Sequence, residues 1–138
     1  MNEAGPLNEA VSVYDAAGGE MTFTTLVERF YAQVAEDPLL RPLYPADPTM
    51  FAAAAEHLRL FLIQYWGGPG WYSERRGHPR LRMRHMPFSI GRPERDAWMS
   101  HMRAAIGSLE LDPQVRDAFL EYFETASVAM MNRGGPPF

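Results

Sequence analysis

The chain contains no cysteine and no lysine. Without cysteine it cannot form disulfides, zinc–thiolate centres or iron–sulfur clusters. All thirteen positive side chains are arginines. This bias reflects genomic base composition more often than function, although arginine is well suited to planar anions. No apolar run approaches the roughly 18 residues of a membrane helix. Residues 1–10 have neither a basic start nor an apolar core, so we expect no signal peptide and a cytoplasmic protein.

A role in nucleic-acid binding has no electrostatic support, because the net charge is -4. The 138 residues are 46% apolar and 22% charged, which is typical of a globular chain. This length predicts a single domain that buries about two-thirds of its unfolded surface. We assign residues 1–12 to a flexible arm, 13–132 to the domain and 133–138 to a tail.

Apolar residues recur at three- and four-residue steps, and no useful strand alternation or internal repeat occurs, so the predicted class is all-α. We expect four substantial helices, at about 22–36, 48–66, 92–109 and 113–132, and a short helical turn within 39–44. The inner face of the first helix is predicted to hold Phe23, Leu26, Val27, Phe30, Tyr31 and Val34. The inner faces of the next two are predicted to include Tyr65, Trp98 and His101.

The stretch between Gly70 and Gly91 lacks sustained periodicity, apart from a short helical segment at Leu81 to His85. A loop of this length in a small helical domain usually has a function. Its second half is basic and holds two histidines, His78 and His85.

His85 is the strongest candidate for a metal ligand. It ends a short helical turn just before Met86-Pro87, where backbone carbonyls are left without helical partners. Such a carbonyl can accept from one ring nitrogen and hold the ring for coordination by the other. A satisfied structural histidine remains the alternative. His57 is interpreted as a partly solvated residue, His101 as a core or subunit-contact residue, and His78 as poorly placed because it precedes a proline.

Arg80, Arg82 and Arg84 alternate along the same stretch. Arginine pairs with carboxylates in a two-pronged geometry. Each one alone is better explained as a solvated residue, but together they favour at least one contact to an acidic ligand, with Arg84 preferred. A bound haem, with iron on His85 and its propionates near these arginines, would account for both features.

Polar aromatic residues lie on otherwise apolar faces at Tyr31, Tyr44 and Trp98. Buried tyrosine and tryptophan need partners for their polar hydrogens. Each could donate to a carbonyl or to water. If the three converge on one pocket, they would suit a ligand that accumulates negative charge, and each such bond is worth about 1.5–3 kcal/mol.

From Tyr14 to about Met131 the chain resembles the truncated haemoglobins, specifically their second group, the oxygen-avid type found in actinobacteria. Glycine pairs at 18–19 and 67–68 are typical of these shortened globins. The segments that carry the resemblance are Phe30-Tyr31-Ala32-Gln33-Val34, Leu62-Ile63-Gln64-Tyr65-Trp66-Gly67-Gly68-Pro69, Tyr72-Ser73-Glu74 and Gly77-His78-Pro79-Arg80-Leu81-Arg82-Met83-Arg84-His85.

The resemblance implies a two-over-two helical sandwich around haem b, with His85 as the proximal iron ligand. Tyr31, Tyr44 and Trp98 match the distal polar residues, and which of them contacts the ligand stays open. Ala54 falls at the distal position that is often histidine or glutamine. The other residues that the resemblance assigns to the cofactor are Leu58, Phe61, Leu62, Tyr72, Arg84, Met86, Phe88 and Ile90.

The implied function is binding of O2, and of other small ligands such as NO or CO, at ferrous haem with slow release. A peroxidase-like or nitric oxide dioxygenase activity is the alternative. We expect that activity to be weak, because Ala54 offers no general base and nitric oxide oxidation would need an unknown reductase. A helical interaction protein without haem is a third reading. We expect no nucleic-acid or membrane partner, and the exposed aromatics permit a homo-oligomer without requiring one.

Overall fold

The computed structural model describes residues 12–133, which form α-helices and one 3-10 turn without any strand. The helices are α1 Val13–Ala17, α2 Glu20–Ala35, α3 Pro48–Tyr65, α4 Trp71–Arg76, α5 Leu81–His85, α6 Arg92–Gly107 and α7 Pro113–Ala129, with the 3-10 turn at Arg41–Leu43. The predicted arm and tail lie outside the described residues, apart from Ser12 and Arg133.

The four long helices confirm the all-α prediction, with ends that differ by a few residues. Two of them begin at an aspartate followed by proline. The Asp47 carboxylate accepts from the Thr49 amide at 2.8 Å, and the Asp112 carboxylate accepts from the Gln114 amide at 3.0 Å. Each aspartate satisfies an amide that the first helical turn leaves without a partner, and proline suits that turn.

The short helices α1 and α4 were not predicted. Each is too short to repeat an apolar face, and helices of this length are not stable alone. Tertiary hydrogen bonds hold them instead. In α1, the Tyr14 amide donates to the Trp66 carbonyl at 2.8 Å. In α4, Ser73 and Gln64 exchange two bonds at 2.7 and 2.9 Å.

The glycine pairs end helices, as predicted. Gly18 and Gly67 have φ of 115° and 104°, a left-handed region that other residues rarely adopt. A Cβ on Gly68 would lie 2.8 Å from side-chain atoms of Ile63 and Tyr14. The second pair therefore allows α1 to approach the end of α3 closely.

The core lies between two helix pairs. Helix α2 packs on α3 and on α6, and α6 packs on α7, which gives the two-over-two arrangement of truncated globins. All six predicted inner residues of α2 are buried.

Two predicted faces need correction. The buried face of α6 consists of Met99, Met102, Ala105 and Ile106. Trp98, which was predicted to lie on this face, is only partly buried. Tyr65 is 51% exposed, although one side of its ring packs on Tyr122 with centroids 4.4 Å apart. Trp71, expected to be exposed, packs against the core.

None of the described helices is long and apolar enough to cross a membrane.

Candidate functional site

A cavity of about 390 Å³ lies between the helix pairs, within the size range of ligand pockets. Its wall includes every predicted site residue except Met86. These residues are Tyr31, Tyr44, Ala54, Leu58, Phe61, Leu62, Tyr72, Arg84, His85, Phe88, Ile90 and Trp98. Met86 is 63% exposed and points away from the wall, so its predicted packing against the cofactor has no support here.

The His85 ring is held as predicted. Its Nδ1 lies 2.6 Å from the Leu81 carbonyl oxygen, one helical turn earlier. A carbonyl only accepts, so Nδ1 carries the proton and Nε2 keeps a free lone pair. The hydrogen bond fixes the tautomer and the ring orientation that metal coordination through Nε2 requires.

Tyr31, Tyr44 and Trp98 converge on the opposite part of the wall. The Tyr31 and Tyr44 rings meet edge to face with centroids 5.5 Å apart. Phe30 on α2 and Phe123 on α7 flank the Trp98 ring at 5.0 and 5.7 Å. The side chains of Trp98 and Tyr31 both lie near the Tyr44 hydroxyl.

Burial raises the pKa of both tyrosines above the ordinary value of 10.0. For Tyr31 the nearby Tyr44 raises the pKa further. For Tyr44 the hydrogen bonds from Trp98 and Tyr31 act in the opposite direction without overcoming burial. Both phenols therefore keep their O–H donors at physiological pH.

Two of the three arginines that were predicted to meet an acidic ligand, Arg82 and Arg84, donate to backbone carbonyls. The Arg84 guanidinium donates to the carbonyls of Pro79 at 2.7 Å, Arg76 at 3.1 Å and His78 at 3.5 Å, although its side chain also lines the cavity. Arg82 donates to the Ala129 carbonyl. Arg80 has a left-handed backbone with φ of 46°, just before α5.

Two further cavity residues, His57 and Arg76, were missed as site residues. Arg76 Nη1 lies 2.9 Å from His57 Nδ1. Burial lowers the pKa of His57, and the charges of Arg76 and Arg84 lower it further. The signal for His57 was present, since it lies three residues after Ala54 and four before Phe61, on the same helical face.

One donor of the Arg76 guanidinium has no partner in the described part of the chain. Its Nε is buried and has no hydrogen-bond acceptor within residues 12–133. A buried donor without a partner is costly, and such a group in a native fold needs an explanation. The wall thus combines an apolar interior, an imidazole oriented for coordination and the cations Arg76 and Arg84, which fits a haem with its carboxylates.

His101 is not part of the cavity. Its Nε2 lies 2.6 Å from an Asp37 oxygen and its Nδ1 lies 3.1 Å from Gln33 Oε1. The side chain joins α6 to the end of α2, as expected for a satisfied histidine.

Comparison with known proteins places the chain in a family. The model for bacterial-like globins matches residues 12–132. Group 2 truncated haemoglobin YjbI of Bacillus subtilis is 40% identical over 120 residues, which cover 87% of this chain and 88% of that protein.

Solved structures agree with this assignment. A thermostable haemoglobin from the actinobacterium Thermobifida fusca is 55% identical, with a TM-score of 0.86 over 89% of this chain and 98% of that one. The group II truncated haemoglobin of Bacillus anthracis is 35% identical, with a TM-score of 0.83 over 91% of this chain and 94% of that one. The chain is therefore a bacterial-like globin, and within that family it belongs to the group II truncated haemoglobins.

Proposed function

We propose that this globin holds haem b and binds O2 and other small ligands at ferrous iron, with slow release. The single observation that carries the proposal is the His85 ring, held through Nδ1 on the Leu81 carbonyl at 2.6 Å. Its cavity contains Tyr31, Tyr44 and Trp98 as well. A metal-ligating histidine usually donates a hydrogen bond from the ring nitrogen that does not bind the metal.

The remaining wall supports the same cofactor. Leu58, Phe61 and Leu62 on α3, together with Phe88 and Ile90 on the α5–α6 connection, offer apolar surface for a macrocycle. The acidic groups of haem require cations or polar hydrogens. We assign this role first to Arg76, which lines the cavity and has no carboxylate partner among the described residues. Arg84 adjoins His85 and remains a second cation on the wall, although its donors already contact carbonyls.

Haem supplies reversible binding of a diatomic ligand at its ferrous iron, and the protein supplies the hydrogen bonds. Because Trp98 and Tyr31 both face the Tyr44 oxygen, they can hold that phenol while its own O–H points to the cavity. We therefore assign direct contact with the ligand to Tyr44, and orientation of Tyr44 to Tyr31 and Trp98. Hydrogen bonds to a charged acceptor contribute about 1.5–3 kcal/mol each, enough to slow release by roughly tenfold or more.

An enzymatic role, peroxidase-like or nitric oxide dioxygenase, is the second candidate. The observation in its favour is His57, which lies on the cavity wall with a lowered pKa. A neutral imidazole at pH 7 can accept a proton, which Ala54 cannot. If this role is real, His57→Gln should reduce steady-state peroxide turnover at least tenfold while leaving the oxygen dissociation rate unchanged.

Haem binding can be tested on purified protein by the Soret band, before and after incubation with hemin. We expect His85→Gly to lose most of the band and added imidazole to restore it, because the small molecule can take the place of the missing ring. A wild-type protein that stays colourless with hemin would refute the proposal.

Slow release is tested separately by stopped-flow measurement of oxygen dissociation from the ferrous protein. An oxygen dissociation rate as fast as that of oxygen-delivering globins would leave haem binding intact and reject the assigned role of the polar donors.

A further inference from the structure

The helix that carries His85 is held only lightly by the core, through the partly buried Leu81. Helix α5 has five residues and none of them is buried. The next four residues, 86–89, are exposed as well. A single helical turn has little stability of its own. Polar contacts from neighbouring segments therefore have a large share in setting its position.

Asn132, just beyond α7, makes the contacts on the C-terminal side of this turn. Its side-chain amide nitrogen donates to the His85 carbonyl at 3.2 Å and to the Phe88 carbonyl at 2.7 Å. Its Oδ1 accepts from the Ile90 amide at 2.8 Å. A single carboxamide therefore bonds to the backbone of His85, Phe88 and Ile90.

The backbone of the same segment strengthens this attachment. The amides of Asn132 and Arg133 both donate to the Ile90 carbonyl, at 2.8 and 3.1 Å. Arg133 also pairs with Glu94 at 2.6 Å, and Glu94 in turn accepts from the Gly91 amide at 2.9 Å. The end of α7 is therefore joined to the whole connection between α5 and α6.

An asparagine is well matched to this position because the site needs two N–H donors and one acceptor on a short side chain. Aspartate would keep the acceptor and lose both donors. Alanine would lose all three contacts. The contacts fall on backbone groups of the histidine turn, so they act on the position of His85 and not on the ring nitrogen directly.

We propose that Asn132 is a positioning residue of the haem site. It fastens the His85 turn to α7 and so sets where the imidazole stands relative to the cavity. The inference rests on the proposed haem binding. It adds that the end of α7, far along the chain from the histidine, controls the strength of the proximal attachment.

The test compares haem-loaded wild type with Asn132→Ala and Asn132→Asp. Gln114→Ala is the matched control, because it removes an exposed carboxamide at the opposite end of α7. We expect both Asn132 variants to transfer haem to an excess of apomyoglobin about fivefold faster or more, the change expected when a net hydrogen bond is lost. The control should stay within about twofold of wild type.

Two spectroscopic measurements distinguish positioning from a general loss of stability. Resonance Raman of the ferrous ligand-free protein reports the iron–histidine stretching frequency, which should shift in both Asn132 variants and not in the control. Amide exchange followed by NMR on the carbon monoxide form should accelerate at Ile90 in Asn132→Ala, and less in Asn132→Asp, which retains the acceptor.

An unchanged stretching frequency and an unchanged haem transfer rate in Asn132→Ala would overturn the inference while leaving haem binding in place. A wild-type protein that takes up no haem would instead refute the proposed function. In that case amide exchange at Ile90 in the haem-free variants would still decide whether Asn132 fixes the turn.

Discussion

The two sides of the cavity, called distal and proximal after their proposed roles, are built in different ways. On the distal side, Tyr31 on α2 and Trp98 on α6 pack among core residues, and Tyr44 after the 3-10 turn packs on Tyr31. The proximal side is the five-residue helix α5 and an exposed connection, held by hydrogen bonds from Arg84 to the preceding segment and from Asn132 beyond α7. Core packing therefore positions the distal donors, whereas hydrogen bonds largely position the His85 turn.

This difference separates overall stability from cofactor retention, two properties that a haem protein needs. Distal geometry cannot change without disturbing the shared core, because close-packed interiors do not deform continuously. The proximal turn can shift at small cost to global stability, since it contributes little buried surface. Substitutions on the distal side should therefore lower overall stability, and those on the proximal side should alter local order and cofactor retention.

The largest expected effect is on the distal side. Phe30 is fully buried and contacts both Tyr31 and Trp98. Phe30→Ala should lower the free energy of unfolding by about 3–5 kcal/mol, as measured by urea denaturation. Phe88→Ala is the proximal control, because Phe88 lines the cavity but is 42% exposed. The loss of unfolding free energy in Phe88→Ala should stay at about 0.5 kcal/mol, as is usual for exposed sites. Similar losses of unfolding free energy in the two variants would contradict the comparison.

The second prediction concerns ligand release. Tyr44→Phe removes only an oxygen and leaves the edge-to-face contacts of the ring with Tyr31 and Phe51. We expect the oxygen dissociation rate to rise about tenfold or more, with a smaller rise for Tyr31→Phe. Trp98→Phe should also raise it, because the N–H that holds Tyr44 is lost. If all three rates match the wild-type rate, the distal donors do not retain the ligand.

The third prediction concerns acid stability. The hydrogen bond from His101 lowers the pKa of Asp37 below its ordinary value of 3.8. A carboxyl with a lower pKa in the folded state stabilises the fold at pH above its ordinary value, and this contribution is lost as pH falls through the folded pKa.

Asp37→Asn should therefore cost about 1.5 kcal/mol near neutral pH. The difference from wild type should shrink toward pH 3, as measured by thermal unfolding across pH. A constant difference at every pH would show that Asp37 acts through packing and not through its charge.

The smallest global effect is expected at Arg84. Arg84→Ala should lower unfolding free energy by only about 1 kcal/mol, while amide exchange around α5 accelerates. Arg84→Lys keeps the charge and loses the fork that reaches the carbonyls of Pro79 and Arg76. If Arg84→Lys retains haem as well as wild type does, the positive charge near the cofactor matters more than the attachment of the turn.

The sequence predicted well where structure depends on repeated spacing. All six inner residues of α2 were identified, because a long helix repeats its apolar face often enough to be read. The ring hydrogen bond of His85 was also foreseen, since it follows from a helical turn that stops at Pro87. Tyr31, Tyr44 and Trp98 were singled out for their polar groups on apolar faces, with convergence on one pocket as one of two alternatives.

The rest depends on contacts between distant parts of the chain. Helices α1 and α4 exist through bonds to α3, which no local pattern reveals. The role of Asn132 needs the fold, because nothing in its neighbourhood marks it as a partner of residues more than forty positions earlier. Arg84 was assigned to the acid groups of the cofactor from its charge, but its N–H donors also contact the carbonyls of Pro79, Arg76 and His78.

The position of Trp98 has a practical consequence. Its indole forms part of the cavity wall and is packed between Phe30 and Phe123. Light emitted by that indole would be quenched by an absorbing macrocycle in the same cavity. Titrating the haem-free chain with hemin should therefore dim its intrinsic fluorescence, so that cofactor uptake can be followed in real time without any label.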